Sequence, residues 1–259
     1  MKHIIVGGDS FSYYTSKLEN NVSPNQILYH NNGNWFHFLE NDLQNEDIPY
    51  RFYYLGLPSA GTHYIIDSVT NKVDELLSNG ILPKDIYVFT QFTYFFRNIL
   101  STSKPKLTTS KMEQDYFDLT NSIENREEIV KEHLNDIYEF GVYLDSKDVN
   151  AKFFFQQDML FYFELDYSKF DEELEKLKWF FITNDDDRLD GILEHYLEQS
   201  STNMFSAYIS RDDLHFNPIV YYYWYIDKIK PLILPFNKYE CEKLALKACK
   251  EHYKINFFK

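Results

Sequence analysis

Short apolar runs alternate with segments of helical periodicity along most of the chain. Residues 3–7 form an apolar run closed by glycine, which is typical of a short buried strand. Residues 62–77 instead carry apolar side chains at helical spacing, and Asn79-Gly80 follows them as a helix C-cap does. The pattern predicts strands at residues 3–7, 51–55, 85–92, 152–156 and 179–182, and helices at 34–43, 62–77, 171–178, 191–199, 218–229 and 239–253. It also predicts one long or two shorter helices over residues 112–144.

Strands that alternate with helices indicate a parallel sheet with helices on both faces. We therefore expect an α/β fold, a three-layer α/β/α sandwich with a mainly parallel, flavodoxin-like sheet. Because no internal repeat or linker composition is visible, we expect one domain over residues 1–259, with a helical insertion at about 101–150. In such sheets the functional cleft lies beyond the carboxyl ends of the strands, and Ser10, Gly56 and the segment after Phe89 all follow predicted strands.

The charge balance and the hydropathy exclude several classes of partner. The chain has 259 residues and a formal net charge of -14, so nucleic-acid backbones and anionic membrane surfaces repel it. No run approaches the roughly 18 apolar residues of a membrane span, and no signal peptide is visible at the start. We expect a cytoplasmic or otherwise soluble protein with no nucleic-acid partner, and the oligomeric state stays open.

Two short segments near the ends of the chain carry candidate chemistry. Gly8-Asp9-Ser10 follows the first predicted strand, and Asp212-Asp213-Leu214-His215 lies near the C-terminus. Serine is a poor nucleophile until an adjacent base takes its proton and a third group orients that base. Together the two segments can supply all three roles. The alternatives are that Ser10 is a helix N-cap, that His215 is structural, and that Asp213 takes the place of Asp212.

These segments resemble the conserved blocks of the SGNH (GDSL-type) hydrolases. Gly8-Asp9-Ser10-Phe11-Ser12 is similar to the first block, Gly56 to the glycine of the second, and Asp212 to His215 to the terminal Asp-x-x-His block. The resemblance implies that Ser10 is the nucleophile, that His215 is the base and that Asp212 orients His215. It also implies that the backbone N–H groups of Ser10 and Gly56 stabilise the oxyanion.

The third block departs from the family pattern. The family usually has Gly-x-Asn there, and the Asn side chain donates to the oxyanion, whereas this chain reads Thr90-Gln91-Phe92-Thr93. Thr93 or Gln91 can donate in its place, and Arg97 can bind an anionic group or a carboxylate. Divergent members that lack the Asn include viral ones, so association with a virus is an open alternative for its location.

The resemblance implies a serine esterase or acylhydrolase that cleaves a small acyl ester through an acyl-serine intermediate. A carbohydrate O-acetyl group is one candidate substrate. The alternative is a catalytically weak or silent module of the same fold that binds glycans or is a structural component of a larger assembly. The altered third block and the aromatic run at 221–225 motivate this alternative, although such a run also suits ordinary packing.

We expect no cofactor and no metal. The acidic run at 185–187 lacks the ligand spacing of a calcium loop. The histidines form no His-Glu-x-x-His pattern, and the cysteines form no Cys-x-x-Cys pair. Gly7-Gly8 matches neither a dinucleotide-binding fingerprint nor a phosphate-binding loop, which makes a nucleotide-binding function the weakest of the alternatives.

Overall fold

The computed structural model describes residues 1–9, 34–57, 60–92, 123–157, 160, 165–182, 191–200, 207 and 216–234. In the range 123–157, side chains are described from residue 126 onward. The chain divides into two compact units. The first comprises Met1–Tyr13 and Arg51–Asp190, and the second comprises Tyr14–Tyr50 and Gly191–Lys259. The expectation that the whole chain is one domain stays a prediction.

The helices and strands lie close to the predicted positions. The strands are β1 (Lys2–Gly7), β2 (Tyr50–Tyr54), β3 (Ile86–Phe92) and β4 (Asn150–Phe155). The α-helices are α1 (Trp35–Asn45), α2 (Thr62–Ser78), α3 (Ile123–Ser146), α4 (Asp171–Leu177), α5 (Ile192–Ser200), α6 (Pro218–Trp224) and α7 (Lys230–Ile233). The predicted helix at 239–253 and the insertion up to residue 122 lie outside the described residues. None of the described helices is both long and apolar enough to cross a membrane.

The four strands form one parallel sheet in the order β2-β1-β3-β4. His3 pairs with Ile86 where β1 meets β3, and β3 pairs with β4 in the same direction. On the other side of β1, Leu55 N donates to Val6 O and Leu57 N to Gly8 O, at 2.9 and 3.1 Å. The segment that continues β2 therefore runs in the same direction as β1, as parallel strands do. This confirms the predicted α/β fold with a parallel, flavodoxin-like sheet.

The predicted strand at 179–182 is reduced to one parallel bridge. Phe153 pairs with Phe181 at the outer edge of β4, where Phe153 N donates to Phe180 O and Ile182 N donates to Phe153 O. Trp179 lies in the turn that follows α4, so only the last residues of the apolar run reach the sheet. The segment thus occupies the fifth position of the sheet without forming a full strand.

One face of the sheet packs against α2 and α3. Side chains from alternate positions of the strands, including Ile5, Val88 and Phe153, are fully buried together with apolar residues of the two helices. The helix α2 packs closely against β1 at Gly7, where an added Cβ would lie 2.6 Å from Val69 Cγ2. Glycine at the end of β1 therefore lets the helix pack directly against the strand.

The second unit has its own aromatic core. Asn34 caps α1 through a capping box with His37, and Phe38 of α1 contacts the rings of Tyr222 and Tyr225. Four residues of the predicted aromatic run are buried, which favours packing over an exposed stacking surface: Tyr221, Tyr222, Trp224 and Tyr225.

The predicted helix at 218–229 changes its winding before it ends. Residues Tyr225–Ile229 form a π-helical turn between α6 and α7. The physical reason is Pro231, which has no N–H to donate to the carbonyl of Asp227 four residues earlier. A π turn is one way for a continuous helical segment to pass such a position.

Candidate functional site

The carboxyl ends of β1 and β3 meet in a buried polar contact. The side-chain Nε2 of Gln91 donates a hydrogen bond to Oδ1 of Asp9 at 3.1 Å, and neither side chain is exposed to solvent. Gly7, the last residue of β1, pairs with Thr90 of β3. In the order β2-β1-β3-β4, the next strand along the chain, β2, lies on one side of β1, and the strand after it, β3, lies on the other side. Open parallel sheets bind ligands at such a reversal of strand order, between the carboxyl ends of the two strands.

The segment after β2 is held against the same end of β1. Leu55 bonds to Val6 and Leu57 bonds to Gly8, so Gly56 lies between two residues whose amides point toward β1. Alternate residues of a strand direct their amides to opposite sides, which points the Gly56 N–H away from β1. Within the described part of the chain, this N–H makes no hydrogen bond.

Glycine suits the turn that leaves β1. Gly8 has a φ angle of +154°, which side chains other than hydrogen disfavour. Its carbonyl nevertheless accepts the hydrogen bond from Leu57, and the next residue is the buried Asp9. The chain is therefore fixed on two sides immediately before position 10, by Leu57 on Gly8 and by Gln91 on Asp9.

A second buried glutamine lies at the same edge of the sheet. Gln156 is the residue directly after β4, follows Phe155, which pairs with Phe92, and is fully buried. Neither atom of its side-chain amide has a hydrogen-bond partner among the described residues, and the same is true of Thr90 Oγ1. This edge therefore carries polar groups that the described part of the fold does not satisfy.

The structure describes two of the seven predicted site residues. Gly56 and Gln91 lie at the carboxyl edge, as just set out, and the Gln91 amide is engaged with Asp9. The remaining residues lie outside the described residues, and their roles stay predictions: Ser10, Thr93, Arg97, Asp212 and His215.

The contact between Asp9 and Gln91 was not predicted from the sequence. The two residues are 82 positions apart, and only the order of the strands brings them together. A sequence signal existed in part, because a polar Gln one residue before the end of an apolar strand needs a partner when it is buried. Which residue supplies that partner depends on which strand lies beside β3.

Two histidine–carboxylate pairs also lie outside the predicted site. In the second unit, Nε2 of the buried His195 lies 3.2 Å from Oδ2 of Asp227. In the first unit, Nε2 of His63 lies 2.8 Å from Oδ2 of Asp136, with His63 exposed and Asp136 partly exposed. Across the described ranges, no group of three or more His, Cys, Asp or Glu side chains is arranged to hold a metal ion.

No family model matches the chain, and no curated protein matches it. Among solved structures, it is similar to LAE5, an alpha/beta hydrolase enzyme from the metagenome of Lake Arreo, Spain. The identity is 10%, the TM-score is 0.47, and the match covers 86% of this chain and 91% of that one.

The chain is also similar to Axe2, an acetylxylan esterase from Geobacillus stearothermophilus. The identity is 8% and the TM-score is 0.42, over 98% of this chain and 95% of that one. A variant of the same esterase gives 10% identity and a TM-score of 0.46, over 91% and 96%. At TM-scores below 0.5, these similarities say nothing of what this chain does.

Proposed function

We propose that the protein is a serine ester hydrolase of the SGNH type, with Ser10 as its nucleophile. The observation that carries the proposal is the buried hydrogen bond from Gln91 to Asp9. It fixes the residue directly before Ser10 at the carboxyl edge of the sheet, beside the point where the order of the strands reverses. A nucleophile needs such a fixed support, because small displacements of a reacting atom cost much of the rate.

In the proposed reaction, Ser10 Oγ attacks the carbonyl carbon of an ester while His215 takes the hydroxyl proton. Asp212 orients His215 and stabilises its charged form. The tetrahedral intermediate then expels the alcohol, which receives its proton from His215, and leaves an acyl group on Ser10. A water molecule, deprotonated by His215, attacks the acyl carbon, and breakage of the bond to Oγ releases the acid while His215 returns the proton to Ser10 Oγ.

The oxyanion of the intermediate needs donors aimed at the place where charge develops. The proposed donors are the backbone N–H groups of Ser10 and Gly56. The Gly56 N–H supports this role because it points away from β1 and is not used by any described acceptor. Gln91 is a poorer candidate for the third donor, since one of its two amide hydrogens bonds to Asp9 and this bond fixes the orientation of the amide. Thr93 is therefore the preferred third donor, and Arg97 is proposed to bind an anionic or carboxylate group nearby.

The proposed substrate is a small acyl ester, with an O-acetyl group on a carbohydrate as the first candidate. Such a substrate brings its own electrophilic carbonyl and a neutral alcohol leaving group. No step of the proposed reaction uses a metal or a cofactor.

The experiment that tests the proposal combines a fluorophosphonate probe with hydrolysis of p-nitrophenyl acetate. Wild type, Ser10→Ala and the neighbouring control Ser12→Ala are treated in parallel at neutral pH, and adducts are located by mass spectrometry. We expect an adduct at Ser10 in wild type and in Ser12→Ala, and none in Ser10→Ala, with hydrolysis following the same order. A folded wild type without an adduct and without hydrolysis would overturn the proposal in favour of a silent, glycan-binding or structural module.

A further inference from the structure

We infer that Gln91 is a positioning residue, which acts on the nucleophile through Asp9 and does not donate to the oxyanion. The inference rests on the proposed function of Ser10, and it gives Gln91 of the altered third block a role in holding the nucleophile in place. Its starting point is a side-chain hydrogen bond that joins the carboxyl ends of the two central strands, from Gln91 Nε2 to Asp9 Oδ1 at 3.1 Å.

Because the hydrogen bond between Gln91 and Asp9 is buried, losing either partner is costly. Both side chains are fully buried, so water cannot replace a lost partner. A carboxylate removed from water is stable only when donors surround it, and a primary amide supplies such a donor without a second charge. The end of β3 therefore has to present an N–H group to Asp9, and Gln91 is the residue that does so.

The contacts at the end of β1 hold the backbone directly before residue 10. Gly7 is pressed against Val69 of α2, and Gly8 accepts a hydrogen bond from Leu57. With the preceding backbone held by helix and neighbouring strand, the Asp9 side chain is the last described anchor before Ser10. Loss of the Gln91 amide would remove one hydrogen bond from that anchor and leave the contacts of Gly7 and Gly8 unchanged.

The amide geometry also separates the two roles open to Gln91. As an oxyanion donor, its amide has to point toward the reacting carbonyl and would be harmed by a negative charge at position 91. As a positioning residue, it has only to share a hydrogen bond with position 9, and either partner can carry the charge. Exchanging the two groups therefore distinguishes the roles.

The test uses Gln91→Met, Asp9→Asn and the double variant Asp9→Asn/Gln91→Glu, which exchanges amide and carboxylate between the strands. Gln156→Met is the matched control, because it also removes a buried glutamine amide at this edge but one that does not touch Asp9. Each protein is measured for thermal stability, for the kcat and KM of p-nitrophenyl acetate hydrolysis, and for the rate of fluorophosphonate labelling at Ser10.

We expect Gln91→Met to lower kcat about 100-fold with little change in KM, the size of loss that misplacement of a reacting group by about 1 Å produces. Gln156→Met should keep wild-type kinetics. The exchanged double variant should recover most of the melting temperature and at least part of kcat, because the hydrogen bond is remade with its direction reversed.

Two results would overturn the inference. One is a folded Gln91→Met protein with wild-type kcat. The other is an exchanged variant that recovers its melting temperature while its kcat stays as low as that of Gln91→Met, which would make Gln91 a direct oxyanion donor. If wild type itself forms no Ser10 adduct and hydrolyses no ester, the proposed function fails first and the inference fails with it.

Discussion

Lys230 and Asp42 form a buried ion pair in the second unit, with Nζ of Lys230 2.6 Å from Oδ2 of Asp42. The hydroxyl of Tyr225 donates to the same carboxylate oxygen at 2.7 Å. Lys230 begins α7, Tyr225 begins the π turn and Asp42 lies on α1, so one carboxylate joins three helical segments. Both charged side chains are more than nine-tenths buried, which makes each depend on the other.

Removing one member of this pair should destabilise the protein strongly. Lys230→Met leaves the Asp42 carboxylate buried without its counter-charge, and the expected loss is about 3–5 kcal/mol of unfolding free energy. The double variant Lys230→Met/Asp42→Leu should be more stable than Lys230→Met, because it buries no unpaired charge. Urea unfolding measures both variants, and a double variant that is no more stable than Lys230→Met would contradict the expectation.

Gly141 should not tolerate a methyl group. An added Cβ at this position of α3 would lie 2.6 Å from the ring of Phe180, which also packs against Tyr138 and Phe153. Gly141→Ala is therefore expected to lower stability by about 1–3 kcal/mol through overpacking, although alanine is the better helix former. Val142→Ala, at the exposed next position, is the control, and equal thermal stability of the two variants would refute the steric explanation.

Gln156→Met should raise stability. The wild-type amide is buried with neither atom bonded within the described ranges, and such a group costs about 1–3 kcal/mol relative to an apolar one of similar shape. Methionine keeps the length of the side chain and removes the polar atoms. The change is measured as the shift in urea midpoint at constant slope, and a lower midpoint would mean that the amide is satisfied in solution.

His3 should make the folded state sensitive to mild acid. Burial, helped by the positive charges of the N-terminus and Arg51 and opposed by Asp85, lowers the pKa of His3 below its ordinary 6.5. Below that pH the unfolded chain binds the proton more readily than the folded chain. The contribution of His3 to stability is therefore complete above pH 6.5 and is lost as the pH falls toward its folded pKa.

The variant His3→Phe tests this by keeping a ring against Tyr53, on which His3 is stacked, while removing the titration. Melting temperatures are measured from about pH 8 to about pH 5. The wild type should lose more stability than His3→Phe over this range. Parallel curves for the two proteins would show that His3 titrates alike in the folded and unfolded states.

His195 and His215, which both belong to the second unit, should separate catalysis from structure. His215→Ala is expected to abolish fluorophosphonate labelling of Ser10, because the proposed base is lost. His195→Asn removes a buried ring held by Asp227 and packed edge-on against Trp224, so its main expected effect is a lower melting temperature with labelling retained. Labelling that disappears in His195→Asn and persists in His215→Ala would move the base to His195.

Much of the fold could be predicted because local pattern and burial agree. The apolar run that ends at Gly7 became β1, and the helical spacing from Thr62 gave α2 to within one residue of its predicted end. The π turn was missed, although Pro231 carried its signal, because a helix of continuous apolar periodicity gives no other sign of a change in winding. The segment ending at Ile182 was overestimated as a strand, since its apolar residues serve a turn as well as the sheet edge.

The site could be predicted only in part. Gly56 and Gln91 do lie at the carboxyl edge of the sheet, because residues that directly follow or end parallel strands are carried there by the fold. The partner of Gln91 could not be predicted, since Asp9 is a neighbour only through strand order. That the Gln156 amide has no partner among the described residues was likewise invisible in the sequence, where a Gln after a strand looks like any polar loop residue.

The central place of β1 has a consequence for synthesis. The first strand of the chain needs β2 on one side and β3 on the other, and its pairing from His3 to Ile86 cannot form until most of β3 has been made. At about 5–20 residues per second, the run Ile4-Ile5-Val6 waits for seconds without its final partner. Long-range parallel pairing of this kind is slow to form and open to aggregation until it does. The strand β1 is therefore a segment that a chaperone for short apolar runs would protect until β3 has been made.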